Sequence, residues 1–119
     1  MSMMNTPSLD LLEKFLDLAS FRQALISSNL ANIDTPGYKT KDIDFSAELT
    51  RAMSSPSLPE EPFVYEVNGL MTRPDGNNVN IDRESLLLSQ TQLQFSAAVQ
   101  LMRAEFSNIT QAISGGTGA

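Results

Sequence analysis

The 119-residue sequence contains no cysteine, no histidine and no tryptophan. Without cysteine there is no disulfide framework and no thiolate cluster. With histidine missing too, there is no ordinary zinc site and no Ser-His or Cys-His nucleophile pair. General acid–base work would fall on carboxylates, lysine or tyrosine. Positive charge is scarce: eight Lys+Arg stand against fourteen Asp+Glu, a net charge of -6. That balance argues against nucleic acid and anionic lipid as partners. No apolar run exceeds three residues, too short for a transmembrane helix or for the core of a Sec signal peptide. These absences point away from an enzyme, a cofactor, a metal or membrane insertion.

What the sequence does have is apolar residues gathered at its two ends. In the N-terminal stretch, 6–33, Thr6-Pro7 reads as an N-cap followed by proline at the first helical position. Leu9, Leu12, Leu16, Ala19, Gln23, Ile26, Leu30 and Ile33 then recur at alternating spacings of three and four. That rhythm predicts a long amphipathic helix with a heptad-like seam. The C-terminal stretch, 82–114, opens at Asp82, a good N-cap, with Glu84 in the first turn. Its seam is Leu88, Gln92, Phe95, Val99, Met102, Phe106, Ile109 and Ile113, and Ser114-Gly115-Gly116 is expected to end it. Gln23 and Gln92 mark either an exposed seam edge or a polar choice of register. Leu11, Phe15, Leu18 and Leu25, with Leu86, Leu87, Leu93, Ala98 and Leu101, widen both faces beyond a two-helix contact. The surplus is covered either by the chain folding back on itself or by neighbouring subunits; the extent of apolar surface favours assembly.

The middle, 34–80, holds five of the six prolines. Asn68-Gly69 between Phe63–Val67 and Leu70–Arg73 predicts a small β-hairpin over 63–73. Ser54 to Pro62 reads as a proline-rich linker and Ile43 to Met53 as a short helix. Asp42 and Asp44 are too close in sequence, and too short of aromatic neighbours, to suggest an opposed catalytic pair. A solvated loop, or an inter-subunit ion pair with Lys39, Lys41 or Arg51, is the expectation for them.

The densest local signal is Ser28-Asn29-Leu30-Ala31-Asn32-Ile33-Asp34-Thr35-Pro36-Gly37-Tyr38. Physically it is a helix exit: Asn32 and Asp34 tolerate turn geometry, and Pro36-Gly37 suits the central positions of a type II turn. Tyr38 then has a ring to dock and a hydroxyl to bond. A plain helix terminator would need no more than this. The string also resembles the SNxANxxTPGY signature of bacterial flagellar axial proteins, the rod, hook and hook-junction family. The continuation Lys41-Asp42-Ile43-Asp44-Phe45 is similar to the K/R-D-x-D-F stretch of its proximal-rod members. A second block, Asp75-Gly76-Asn77-Asn78-Val79-Asn80-Ile81-Asp82-Arg83-Glu84, resembles their DGNxVxxDxE segment. Read as a calcium loop, that block fails, because Val79, Asn80 and Leu86 occupy positions that need a ligand, glycine and glutamate. Capping before a helix, with Val79 and Ile81 as packing pegs, is the better physical reading.

The expectation is therefore a mainly α, elongated single domain over 1–119, an antiparallel pair of long terminal helices with a loop-rich centre. The resemblance implies a structural subunit of the flagellar proximal rod, a drive shaft transmitting torque across the periplasm. It implies export through the flagellar type III apparatus without a Sec signal, and no catalysis. Implied partners are further copies, other rod proteins and the MS-ring/export-gate adaptor. The two seams are then assembly interfaces. Asn29, Asn32, Thr35, Pro36, Gly37 and Tyr38 form one motif turn, and Asp75, Gly76, Asn77, Val79, Asp82 and Glu84 the second motif. A small secreted helical binding module or export chaperone is the alternative.

Overall fold

A computed structural model describes residues 7–54 and 61–118, with side chains through 115. The elements are α1 (Pro7–Ala31), β1 (Lys41–Ile43), α2 (Phe45–Ser54), β2 (Val64–Glu66) and α3 (Ile81–Gly118). The molecule measures 71 × 28 × 18 Å, with a radius of gyration of 18.8 Å. A compact chain of this length would have about 13.5 Å. The elongation follows from α3, whose 38 residues span about 57 Å at 1.5 Å per residue.

α1 opens on Pro7, and Asp10 in its first turn pairs with Lys14 at 3.2 Å. The proposed Thr6 cap lies outside the described residues. All eight positions of the α1 seam are buried or half-buried, with Ala19 and Ile26 fully enclosed. α1 lies antiparallel to α3: the last turn of one meets the first turn of the other, where Asn29 bonds Glu84. Two small residues on the facing surfaces, Ala19 and Ala98, are both buried and let the backbones approach.

The α3 seam divides. Leu88, Phe95, Val99, Met102 and Ile109 are half-buried, whereas Gln92, Phe106 and Ile113 are exposed. The most enclosed line on α3 is Glu84, Thr91 and Ala98, shifted around the helix from the one the apolar spacing picks out. Beyond Ile109 the resolved side chains of α3 are all exposed, because α1 is too short to reach them. The helix runs to Gly118 rather than ending at Ser114. Nothing approaches within 4 Å of a side chain built at Gly115, so no packing or turn contact diverts the backbone there.

The cap expected for α3 also moves. α3 begins at Ile81, and its cap is Asn80, whose Oδ1 accepts from the Arg83 amide at 3.0 Å. Asp82, one residue inside the helix, is exposed, as is Ile81, so Val79 alone acts as a packing peg. The short central helix is α2, capped by Asp44, whose carboxylate accepts from the Ala47 amide at 3.1 Å. Phe45 packs edge-on against Phe15 of α1, ring centroids 5.0 Å apart. Lys14 reaches the Ala52 carbonyl at the far end of α2.

The small antiparallel sheet is present but pairs differently from the hairpin expected over 63–73. β2 pairs with β1, Lys41 opposite Glu66 and Ile43 opposite Val64. Asn68-Gly69 still turns the chain, with Gly69 at φ +83°, but Leu70–Arg73 forms no strand and does not pair with β2. The reason is support: an isolated two-stranded hairpin is marginal, whereas β1 is already backed by α1 and buries Ile43. Of the proline-rich linker, 55–60 lies outside the described residues.

Candidate assembly interface and the polar junction behind it

The two sequence blocks are halves of one structure. Thr35-Pro36-Gly37-Tyr38 closes a turn with the Tyr38 amide on the Thr35 carbonyl, 3.2 Å, and Gly37 at φ +77°. That is the type II geometry in which the third residue needs positive φ. Asn32 holds the turn to the helix: its Nδ2 donates to the Ser28 carbonyl and its Oδ1 accepts from the Thr35 hydroxyl. Pro36 is exposed. The second block docks directly on this turn. The Gly37 amide donates to the Asp75 carbonyl at 2.9 Å, and Lys39 Nζ donates to the Gly76 carbonyl. Gly76, at φ +88°, comes so close that a Cβ there would lie 3.3 Å from Gly37 Cα.

Asparagines carry the rest of the join. Asn77 is fully buried; its Nδ2 donates to the carbonyls of Asn32 and Thr35, both 2.9 Å, and its Oδ1 accepts from the Val79 amide. Asn78 Oδ1 accepts from both the amide and the hydroxyl of Thr40. Asn29 fills its complete hydrogen-bonding capacity. Its Nδ2 donates to the Lys41 carbonyl at 2.9 Å and to Glu84 Oε1 at 2.7 Å. Its Oδ1 accepts from the Tyr38 hydroxyl at 2.9 Å and the Lys41 amide at 3.1 Å. One side chain thus fastens α1, the motif turn, β1 and α3.

Beside it lies an ionic quartet of two buried carboxylates and two half-buried guanidinium groups. Asp42, 2% exposed, takes a two-pronged contact from Arg22, Nε and Nη2 both at 3.0 Å, and a third from Arg83 Nη2 at 2.8 Å. Arg83 also holds Glu84 through Nη1. Burial alone pushes the Asp42 carboxyl up. The bonds from Arg22, the Ile43 amide and Arg83 outweigh it and leave the group below the usual carboxylate range. Burial likewise lowers Arg83, and its bonds to Glu84 and Asp42 more than restore it. Asp42 is therefore no solvated loop residue and meets neither Lys39, Lys41 nor Arg51; its partners are intramolecular. Arg22, Ile26, Asn29 and Ile33 recur at helical spacing, so two polar residues share one stripe with apolar ones. That was the available signal for the quartet.

The arrangement suits mechanical joining rather than chemistry. Among the described residues no group of acids is placed to hold a metal ion, and the junction's asparagines and ionic groups are bonded to backbone or to one another. Of the second motif, Asp75, Gly76, Asn77, Val79 and Glu84 take part, and Asp82 does not. The seam residues run along the helix pair, with Ile26 and Ile33 on the same stripe as Arg22 and Asn29.

The pattern described as "Flagella basal body rod protein" matches residues 16–39, the second half of α1 and the motif turn. The chain is similar to the flagellar basal body rod protein FlgB of Borrelia hermsii, 31% identical over 86% of this chain and 92% of that one. The chain belongs to the FlgB family. Similarity extends to FlgB of Bacillus subtilis, 29% identical over 88% of this chain and 92% of the relative. FlgB of Salmonella typhimurium is 27% identical over 87% and 91%. The FlgB family is a structural rod component of the flagellar basal body and not a family of enzymes. The family pattern takes in the first block of the junction, residues 28–38.

Proposed function

We propose that the chain is a subunit of the proximal rod and polymerises through its two terminal helices, forming part of the shaft that transmits torque across the periplasm. The carrying observation is apolar surface that α1 leaves uncovered on α3. Leu93 is 72% exposed, and Leu86, Leu101, Phe106 and Ile113 are exposed as well. Leu11 adds to it from α1. Apolar patches of this extent on a soluble chain mark interaction surfaces. Contacts between unlike patches propagate as a helix instead of closing a dimer. The junction fixes the angle at which the helix pair is presented, so each added copy meets the last in the same way.

The partners in this reading are further copies, other rod proteins and the adaptor between the MS ring and the export gate. Delivery is through the flagellar type III apparatus. The described helices include none long and apolar enough to cross a membrane. Site-directed crosslinking tests the reading. Cysteines placed at Leu93 and Ile113 should crosslink to neighbouring subunits in isolated basal bodies; reaction with soluble reagent only, in assembled rods, would overturn it.

A further inference from the structure

We propose that the outer edge of β2 is a strand-addition site for an extended, basic segment of another polypeptide. In the register of the pair, Tyr65 lies opposite Asp42 and the Val67 amide bonds the Thr40 carbonyl at 2.9 Å. Backbone groups alternate in direction along an antiparallel strand. Tyr65 therefore faces β1, and the amides and carbonyls of Val64 and Glu66 point away from it. Among the described residues nothing pairs with that outer edge. The opposite edge of the sheet is closed, since the Lys41 amide and carbonyl are both taken by Asn29. The sheet can grow on one side only.

The surroundings of the open edge specify what would add. A groove of about 720 Å³ runs alongside, between β2 and α2, lined in part by Asp44, Arg51, Glu61, Phe63 and Val64. Phe63 is 73% exposed, with Tyr65 and Met53 also outward, so alternate apolar side chains of an added strand have surface to cover. The charge is acidic. Arg51 is engaged by Glu48 and by the Glu61 carbonyl. Lys41, across from Glu66, has its ammonium 5.9 Å from the Tyr38 ring centroid. The carboxylates of Glu61 and Glu66 meet no cation among the described residues. Backbone pairing would supply affinity, and charge complementarity would select a basic segment over an acidic one.

The experiment uses the full chain and short labelled peptides: alternating Lys and Val, alternating Glu and Val, and the first peptide N-methylated at every backbone amide. Binding is read by fluorescence anisotropy, and amide hydrogen exchange locates it. The Lys-Val peptide should bind about tenfold tighter than the Glu-Val peptide and lose about tenfold on N-methylation. It should slow exchange at the Val64 and Glu66 amides, which are unprotected in the free chain. Val64→Pro removes an outward donor while leaving the Tyr65–Asp42 pairing, so it should weaken binding with the helical circular dichroism unchanged. Equal binding of the acidic peptide would overturn the proposal, as would protection confined to α3. So would concentration-dependent protection of Val64 and Glu66 without peptide, which would make the occupant a second copy.

Discussion

The junction and the helix pair are built on opposite terms. At the junction, Asn29, Asn77, Asn78, Asp42 and Glu84 are buried and each finds its partners inside the chain. Along the pair, the Thr91 hydroxyl and the Gln94 carbonyl oxygen are buried with no partner among the described residues, while Leu86 and Leu93 stand in water. A buried polar group left unmatched is costly and a matched one is specific. The junction is thus finished within one copy and fixes geometry. The pair is unfinished, and in the function proposed above its bare apolar surface supplies the adhesion. Substitutions should separate these two properties.

The largest effect is expected at Asn29. Asn29→Leu strands the Lys41 amide and carbonyl, the Tyr38 hydroxyl and one oxygen of Glu84. At about 1 kcal/mol for each orphaned group, the loss approaches 4 kcal/mol, read from the urea midpoint. A loss under about 1 kcal/mol would mean that the junction holds without its centre.

Next comes Asp42→Ala, which leaves two guanidinium groups facing each other without their shared carboxylate. Breaking a buried ion pair from one side costs about 3 kcal/mol. This substitution also predicts a pH dependence. Asp42 is held below its ordinary value when folded, so its contribution is complete above the unfolded carboxylate range near pH 4 and disappears as pH falls through the folded value. Acid titration of stability should therefore be steeper for the parent chain than for the variant. Identical acid limbs would show that other carboxylates carry the dependence.

A smaller effect is expected where the two blocks touch. Gly76→Ala combines positive φ with a 3.3 Å approach to Gly37 Cα, at about 1–2 kcal/mol. An unshifted thermal midpoint would refute that tight contact. Smallest in stability is Leu93→Asp, within about 0.5 kcal/mol of the parent because the site is exposed. Yet it should abolish incorporation into basal bodies. Wild-type assembly with this variant would break the division between a geometric junction and an adhesive pair.

The parts of the fold that depend on near neighbours were legible in the sequence. Three-and-four spacing placed both helices, and Pro36-Gly37 announced a turn whose φ of +77° at Gly37 matches its type. What depends on distant partners was less so. Nothing near Asp42 announces that Arg22 and Arg83, 20 and 41 residues away, converge on it. β2 had an adjacent strand candidate, and only the support of α1 behind β1 makes the remote one better. The α3 seam was read one line too far round, because spacing counts apolar residues, whereas Glu84 and Thr91 are buried on the strength of their location. The cap fell to Asn80 rather than Asp82 for a related reason: Asn78, anchored to Thr40 and Tyr38, and Val79, held by Asn77 and Arg73, decide where the helix can begin.

The Asn29 amide has one more consequence. It offers Lys41 a donor and an acceptor spaced like those of a peptide group, so a side chain of α1 occupies the place where another β-strand would lie. It works as a stopper. A two-stranded sheet with both margins bare invites stacking in either direction, including onto its own likeness about a twofold axis. With one margin plugged by the chain's own helix, the sheet becomes monovalent, and whatever joins it must arrive from a single side. A single open margin can take one added strand but cannot carry a sheet onward from copy to copy.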